Sequence, residues 1–146
     1  MTDSDRYKRP ESVLVVVYTQ AGDVLLLDRI HPANFWQSIT GSLEWNEAPM
    51  QAAIRELFEE TGIQSSLVSD CHHTNRFPIL PEWRERYAPE VMENIEHVFK
   101  LELEDKVDIK LHSEEHTDYI WLPKKQAAEK VFSWTNRDAI LALQGI

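Results

Sequence analysis

Residues 12–18 (Ser-Val-Leu-Val-Val-Val-Tyr) form a nearly unbroken, β-branched apolar run, which predicts a buried strand. Residues 19–23, with Gly22, predict a turn, and 24–27 a returning strand paired with the first. A short strand is expected over 36–40. From 49 to 60 the period changes: Met50, Ala53, Ile54 and Leu57 share one arc of a helix, the arc that meets a core. Pro49 suits the first helical turn, where its missing N–H costs nothing, and Gly62 suits the left-handed conformation that ends helices. Strands are expected at 67–74, at 96–103 (polar and apolar residues alternating, hence one wet face) and at 118–122, stopped by Pro123. Residues 124–131 and 136–143 are expected to be helical, the second capped by Thr135 or Asn136. Pro78, Pro81 and Pro89 interrupt 76–94, an irregular stretch of a length that is usually functional. This order predicts an α/β fold: a mixed β-sheet with helices on its faces, an α/β/α sandwich filling 1–146 as a single domain.

Composition narrows the function classes. The chain has 146 residues, 42% of them hydrophobic, enough for a sizeable core. No apolar run is long enough to span a membrane and no secretory leader is present, so no membrane partner is expected. One cysteine, Cys71, excludes an internal disulfide framework, fits a reducing compartment and predicts a cytoplasmic location; a half-buried strand position is its expected role. The formal net charge of −10 argues against nucleic-acid binding and makes a metal-free phosphate site hard to build. No pattern in the chain sets an oligomeric state. His72 and His73 are neighbours on a predicted strand and so point to opposite faces, which excludes a joint metal role.

The polar side of the helix carries the chemistry. At about 100° per residue, Glu59 lies about 60° to one side of Glu56 and Glu60 about 40° to the other. Three carboxylates on one face repel one another, and two of them stand at the negative end of the helix dipole. Folding gains nothing from this arrangement, whereas a hard divalent cation does: Mg²⁺ or Mn²⁺ takes oxygen ligands and shares them with phosphates. Glu56 and Glu60, one turn apart on the same edge, are the first-choice metal ligands. Glu59 is then either a ligand through water or a general base.

The spacing Gly41, five residues, Glu47, seven residues, Arg55-Glu56-Leu57, one residue, Glu59-Glu60, one residue, Gly62-Ile63 resembles the signature of the Nudix hydrolases at every defined position. Seven fixed residues in register arise by chance below about 10⁻⁷ per starting position. The resemblance implies the Nudix α/β/α sandwich, divalent-cation dependence and water attack on a phosphorus of a substrate containing a nucleoside diphosphate. It also implies that Glu47 and Arg55 tie loop to helix. Members often carry glycine where Ser42 and Asn46 stand here; Asn46 tolerates the left-handed conformation such a loop needs.

Further pieces resemble the branch of that family that hydrolyses dihydroneopterin triphosphate. They are Tyr7-Lys8-Arg9-Pro10, Leu27-Asp28-Arg29, residues 35–42, Arg86-Tyr87-Ala88-Pro89, Glu115-His116 and residues 133–137. By that resemblance the substrate is a small-molecule triphosphate, cleaved to the monophosphate and pyrophosphate. Lys8, Arg29, Thr40 and Ser133 become candidate substrate contacts, with Phe77 a candidate for stacking on the ring beside Trp36 and Trp134. Glu115 becomes a third metal ligand and a catalytic candidate with Glu59, and His116 a weaker candidate for base or phosphate contact. The rival expectations are hydrolysis of deoxynucleoside triphosphates such as dATP or of dinucleoside polyphosphates, and a nucleotide-binding module without catalysis. The intact carboxylates disfavour the last.

Overall fold

Alternation along the first strand sets the layers. The computed structural model describes residues 6–30 and 34–146. In β1 (Glu11–Thr19), Val13, Val15 and Val17 pack with Leu57 and Phe99 on one side, while Val16 and Tyr18 pack with Ala127 and Ile140 on the other. A strand with a core on each face needs an apolar residue at every position, which explains the unbroken run. The strands β2 (Asp23–Arg29), β3 (Trp36–Gln37), β4 (Ile39–Ser42), β5 (Ser69–Pro78), β6 (Glu93–Leu103) and β7 (His116–Pro123) complete one seven-stranded sheet. β1 and β6 run parallel and the other pairs antiparallel, so the sheet is mixed. Helix α1 (Pro49–Thr61) covers one face; α2 (Lys124–Lys130) and α3 (Trp134–Leu141) cover the other.

Helix α1 ends as its sequence dictates. Gly62 caps it in the left-handed region at φ 77°, its N–H donating to Phe58 O. At the start, Ala48 N donates to Gln51 Oε1 at 2.9 Å, one half of a capping box; alanine has no oxygen for the other half. Ala53 and Leu57 are buried against the sheet, with Met50 and Ile54 packed beside them. Burying one such large side chain is worth about 1.5–3 kcal/mol, against a few tenths for each repelling pair of surface carboxylates. Packing therefore holds the acidic face where it is.

Three expectations need correction. The irregular stretch is shorter than 76–94, because β5 continues to Pro78 and β6 begins at Glu93, Pro78 opposite Glu93. β5 pairs only with β6, and an edge strand tolerates proline. What remains carries a 3₁₀ helix at Pro81–Arg86. The cap of α3 is Ser133, whose Oγ accepts from Thr135 N and Asn136 N. His72 adopts φ 53° where the register slips between Asp70 and Thr74, so simple alternation does not orient His72 and His73. Cys71 is a half-buried strand residue, as expected. Asn46 takes φ 70°, the left-handed conformation anticipated for it.

A Cβ on Gly62 would combine the strained φ with a 3.1 Å contact to Lys110 Cβ. Gly62→Ala should therefore lower unfolding free energy by about 1–2 kcal/mol, read as a reduced urea midpoint with unchanged slope.

Candidate active site

The loop before α1 is locked by two arginines. Arg55 grips Glu47 with a two-pronged pair, Nε to Oε2 at 2.8 Å and Nη2 to Oε1 at 2.9 Å. Its remaining N–H groups reach Glu56 Oε1 at 2.9 Å, Glu59 Oε2 at 3.2 Å and Ser42 O at 3.1 Å. Arg9 closes the loop from outside, donating to Glu44 O at 3.0 Å and Glu47 O at 2.9 Å. Glu47 and Arg55 thus tie loop to helix. The hydrogen bonds from Arg55 hold Glu47 below the usual carboxylate range.

Gly41 faces α1, and a Cβ there would overlap the Glu56 carboxylate, with Oε2 at 2.5 Å. Only glycine lets that carboxylate lie against the strand. Glu56 is 8% exposed, and burial, opposed by Arg55 and reinforced by Glu60, pushes its pKa up to about 7.

One helical turn further, Glu60 is 3% exposed beside His116, itself 4% exposed. Glu60, Glu115 and His116 each offer a ligand atom within 4.8 Å of the others. His116 Nδ1 approaches Glu60 Oε2 to 2.7 Å, yet the geometry is not that of a hydrogen bond, and both atoms, with His116 Nε2, lack a partner. Burial also lowers the His116 pKa. Between the two carboxylates burial decides: the deeper Glu60 is pushed up, first by desolvation and then by Glu115, while the exposed Glu115 is held down. A compact set of carboxylate oxygens and an imidazole, with orphaned buried atoms among them, fits a divalent cation.

Cations border these acids. Lys8 feels Arg86, Arg29, Glu56 and Glu115; crowding of its ammonium and then the two arginines lower its pKa, although its surface stays open to solvent. Lys8 N donates to Arg86 O at 2.7 Å, and Lys8 Nζ lies 5.9 Å from the Tyr87 ring centre. Arg29 acts on Glu60, Glu115 and His116 and lies over the Phe35 ring at 5.4 Å.

The structure therefore brings together Glu56, Glu60, Glu115, Lys8 and Arg29. Glu59, half exposed and held by Arg55, borders them. Thr40, Phe77 and Ser133 do not join that cluster. Thr40 alternates with Gly41 and so faces the other side of the sheet; Phe77 stands opposite Asn94, whose side chain bonds Ser12 on that same side. The Ser133 hydroxyl is engaged in capping α3. The residue not anticipated as part of this region is Arg86: its segment drew notice, but only the backbone bond to Lys8 brings it beside that cation.

The NUDIX domain model matches residues 8–143. The chain belongs to the Nudix family. Among its Nudix relatives, the dihydroneopterin triphosphate diphosphatase of Escherichia coli is 45% identical over 140 residues, covering 92% of this chain and 91% of the relative. That of Haemophilus influenzae is 41% identical over 140 residues, covering 92% and 87%. The solved E. coli dihydroneopterin triphosphate pyrophosphohydrolase superposes with a TM-score of 0.84 at 44% identity, covering 92% of this chain and 94% of that one. The expected Nudix α/β/α architecture with a mixed sheet is the one observed.

Glu114 and Glu115 are both exposed, but only Glu115 reaches Glu60 and His116. Glu115→Ala should lower kcat at least about tenfold, with Glu114→Ala near wild type. Steady-state kinetics on the pair decides, and equal small losses would return this turn to a solvated acidic surface.

Proposed function

We propose that this Nudix hydrolase cleaves 7,8-dihydroneopterin 3′-triphosphate to the monophosphate and pyrophosphate, using Mg²⁺ or Mn²⁺, in the cytoplasm. The observation that carries the reading is the juxtaposition of a buried acidic cluster with Lys8 and Arg29. Acids alone would repel a triphosphate and cations alone would need no acids; together they suit a metal-bridged polyphosphate. Identity above 40% to diphosphatases of that substrate supports the choice of compound. The free Cys71 fits a reducing compartment. No helix among the described residues is long and apolar enough to cross a membrane.

Glu56, Glu60 and Glu115 would hold the cation, with His116 packed against Glu60. Once bound, the cation neutralises charge on the phosphate oxygens and lowers the pKa of coordinated water. Lys8, Arg29 and Arg86 clamp the remaining phosphate oxygens by charge-assisted hydrogen bonds. Glu115, kept ionised by its neighbours, and Glu59, exposed and oriented by Arg55, are the groups placed to take a proton from the attacking water. Water adds across the linkage between the α- and β-phosphorus; the bridging oxygen leaves with pyrophosphate.

Pyrophosphate release with Mg²⁺ should show its highest kcat/KM on dihydroneopterin triphosphate, above dATP and diadenosine tetraphosphate, and should vanish with chelator. A nucleotide preferred over the pterin, or activity indifferent to chelator, would contradict the proposal.

A further inference from the structure

On the sheet face turned away from α1, the register lines up Ser42, Ser12, Glu96 and Asn75 across four strands. Further along β1 and β2 that face carries Val16, Val24 and Leu26, sealed under α2 and α3. The polar row lies where α3 begins, with Thr135 of its first turn close enough to Glu96 to help hold its carboxylate against burial. Glu96 is the one charged member of the row and is 6% exposed.

A buried carboxylate is costly unless its oxygens are used. Two carboxylate oxygens accept about four hydrogen bonds. Glu96 receives one from Asn75 Nδ2 at 3.2 Å, with Thr135 nearby. A glutamine could accept that bond without a charge. The acid therefore retains acceptor capacity that the fold leaves unused, at a point of the sheet outside the acidic cluster. The two places are adjacent through β4, which turns Gly41 toward Glu56 on one face and Thr40 and Ser42 toward the Glu96 side on the other.

We propose that Glu96 determines specificity by reading the N–H edge of the substrate's heterocycle. Its carboxylate accepts from the exocyclic 2-amino group and the adjoining ring N–H of a 2-amino-4-oxopyrimidine ring, the edge that a pterin shares with guanine. Two parallel N–H donors match two carboxylate oxygens as the fork of an arginine does. A ring without the 2-amino group leaves an acceptor unpaired in a desolvated place, where loss weighs most. Phe77, half-buried on the same face, offers a flat surface beside that edge. The assignment rests on the pterin reading above.

dGTP and dITP differ only in the 2-amino group and test the role on the wild-type protein. The kcat/KM for dGTP should exceed that for dITP roughly tenfold or more, mainly through KM. In Glu96→Gln, with folding checked by circular dichroism, the ratio should collapse toward one. A wild-type ratio near one overturns the proposal, as does a ratio unchanged in the folded variant. Preference for dGTP over dITP with poor pterin turnover would keep the role of Glu96 and sink the substrate assignment. The reverse pattern would sink Glu96 and keep the substrate.

Discussion

The Glu56 carboxylate occupies the space that a side chain at position 41 would fill. That one contact organises the site. It forces glycine onto β4, draws α1 close to the strand, and buries negative charge where water cannot screen it. With Glu60 equally deep and Glu115 beside it, the protein concentrates like charges in a place of low polarity. Such an arrangement persists only because other parts of the fold over-determine it. The apolar side of α1 supplies several kcal/mol of packing, and the fork from Arg55 to Glu47 fixes the loop from which β4 and α1 diverge.

β4 also explains how one short strand serves two tasks. Successive residues face opposite sides of a sheet. Gly41 therefore belongs to the acidic centre, while Thr40 and Ser42 belong to the polar row containing Glu96. On the proposed reading, phosphate chemistry and ring recognition would share this one rigid element. The cations come from the periphery: Lys8 precedes β1, Arg29 ends β2, and Arg86 ends the 3₁₀ helix. Loops and strand ends suit the proposed clamping role, which needs no place in the buried centre.

Much of this was legible in the sequence. Helix periodicity placed Glu56, Glu59 and Glu60 on one face and gave α1 its limits within a residue, because proline and glycine mark its ends chemically. Arg55 and Glu47 followed from the family resemblance, and their pairing is observed. The rest depended on partners far away in the chain. Pro78 read as a strand breaker, since the sequence does not say that β5 is an edge. Ser133 lost to Thr135 and Asn136 as the expected cap because the last helix begins earlier, at the exposed Trp134. Arg86 lay in a segment that carried the resemblance, but its place beside Lys8 comes from a backbone bond between residues far apart in sequence. Glu96 read as the polar member of an alternating strand, and only the register with Ser12 and Asn75 shows that its side of the sheet is not wet.

On the proposed reading the buried acids hold a divalent cation. Mn²⁺ titration followed by electron paramagnetic resonance tests it without any substrate. Wild-type protein should take up Mn²⁺, and Glu60→Gln should weaken that uptake at least about tenfold while the circular dichroism spectrum stays unchanged. Equal Mn²⁺ affinity in the folded variant, or none in the wild type, would contradict the account.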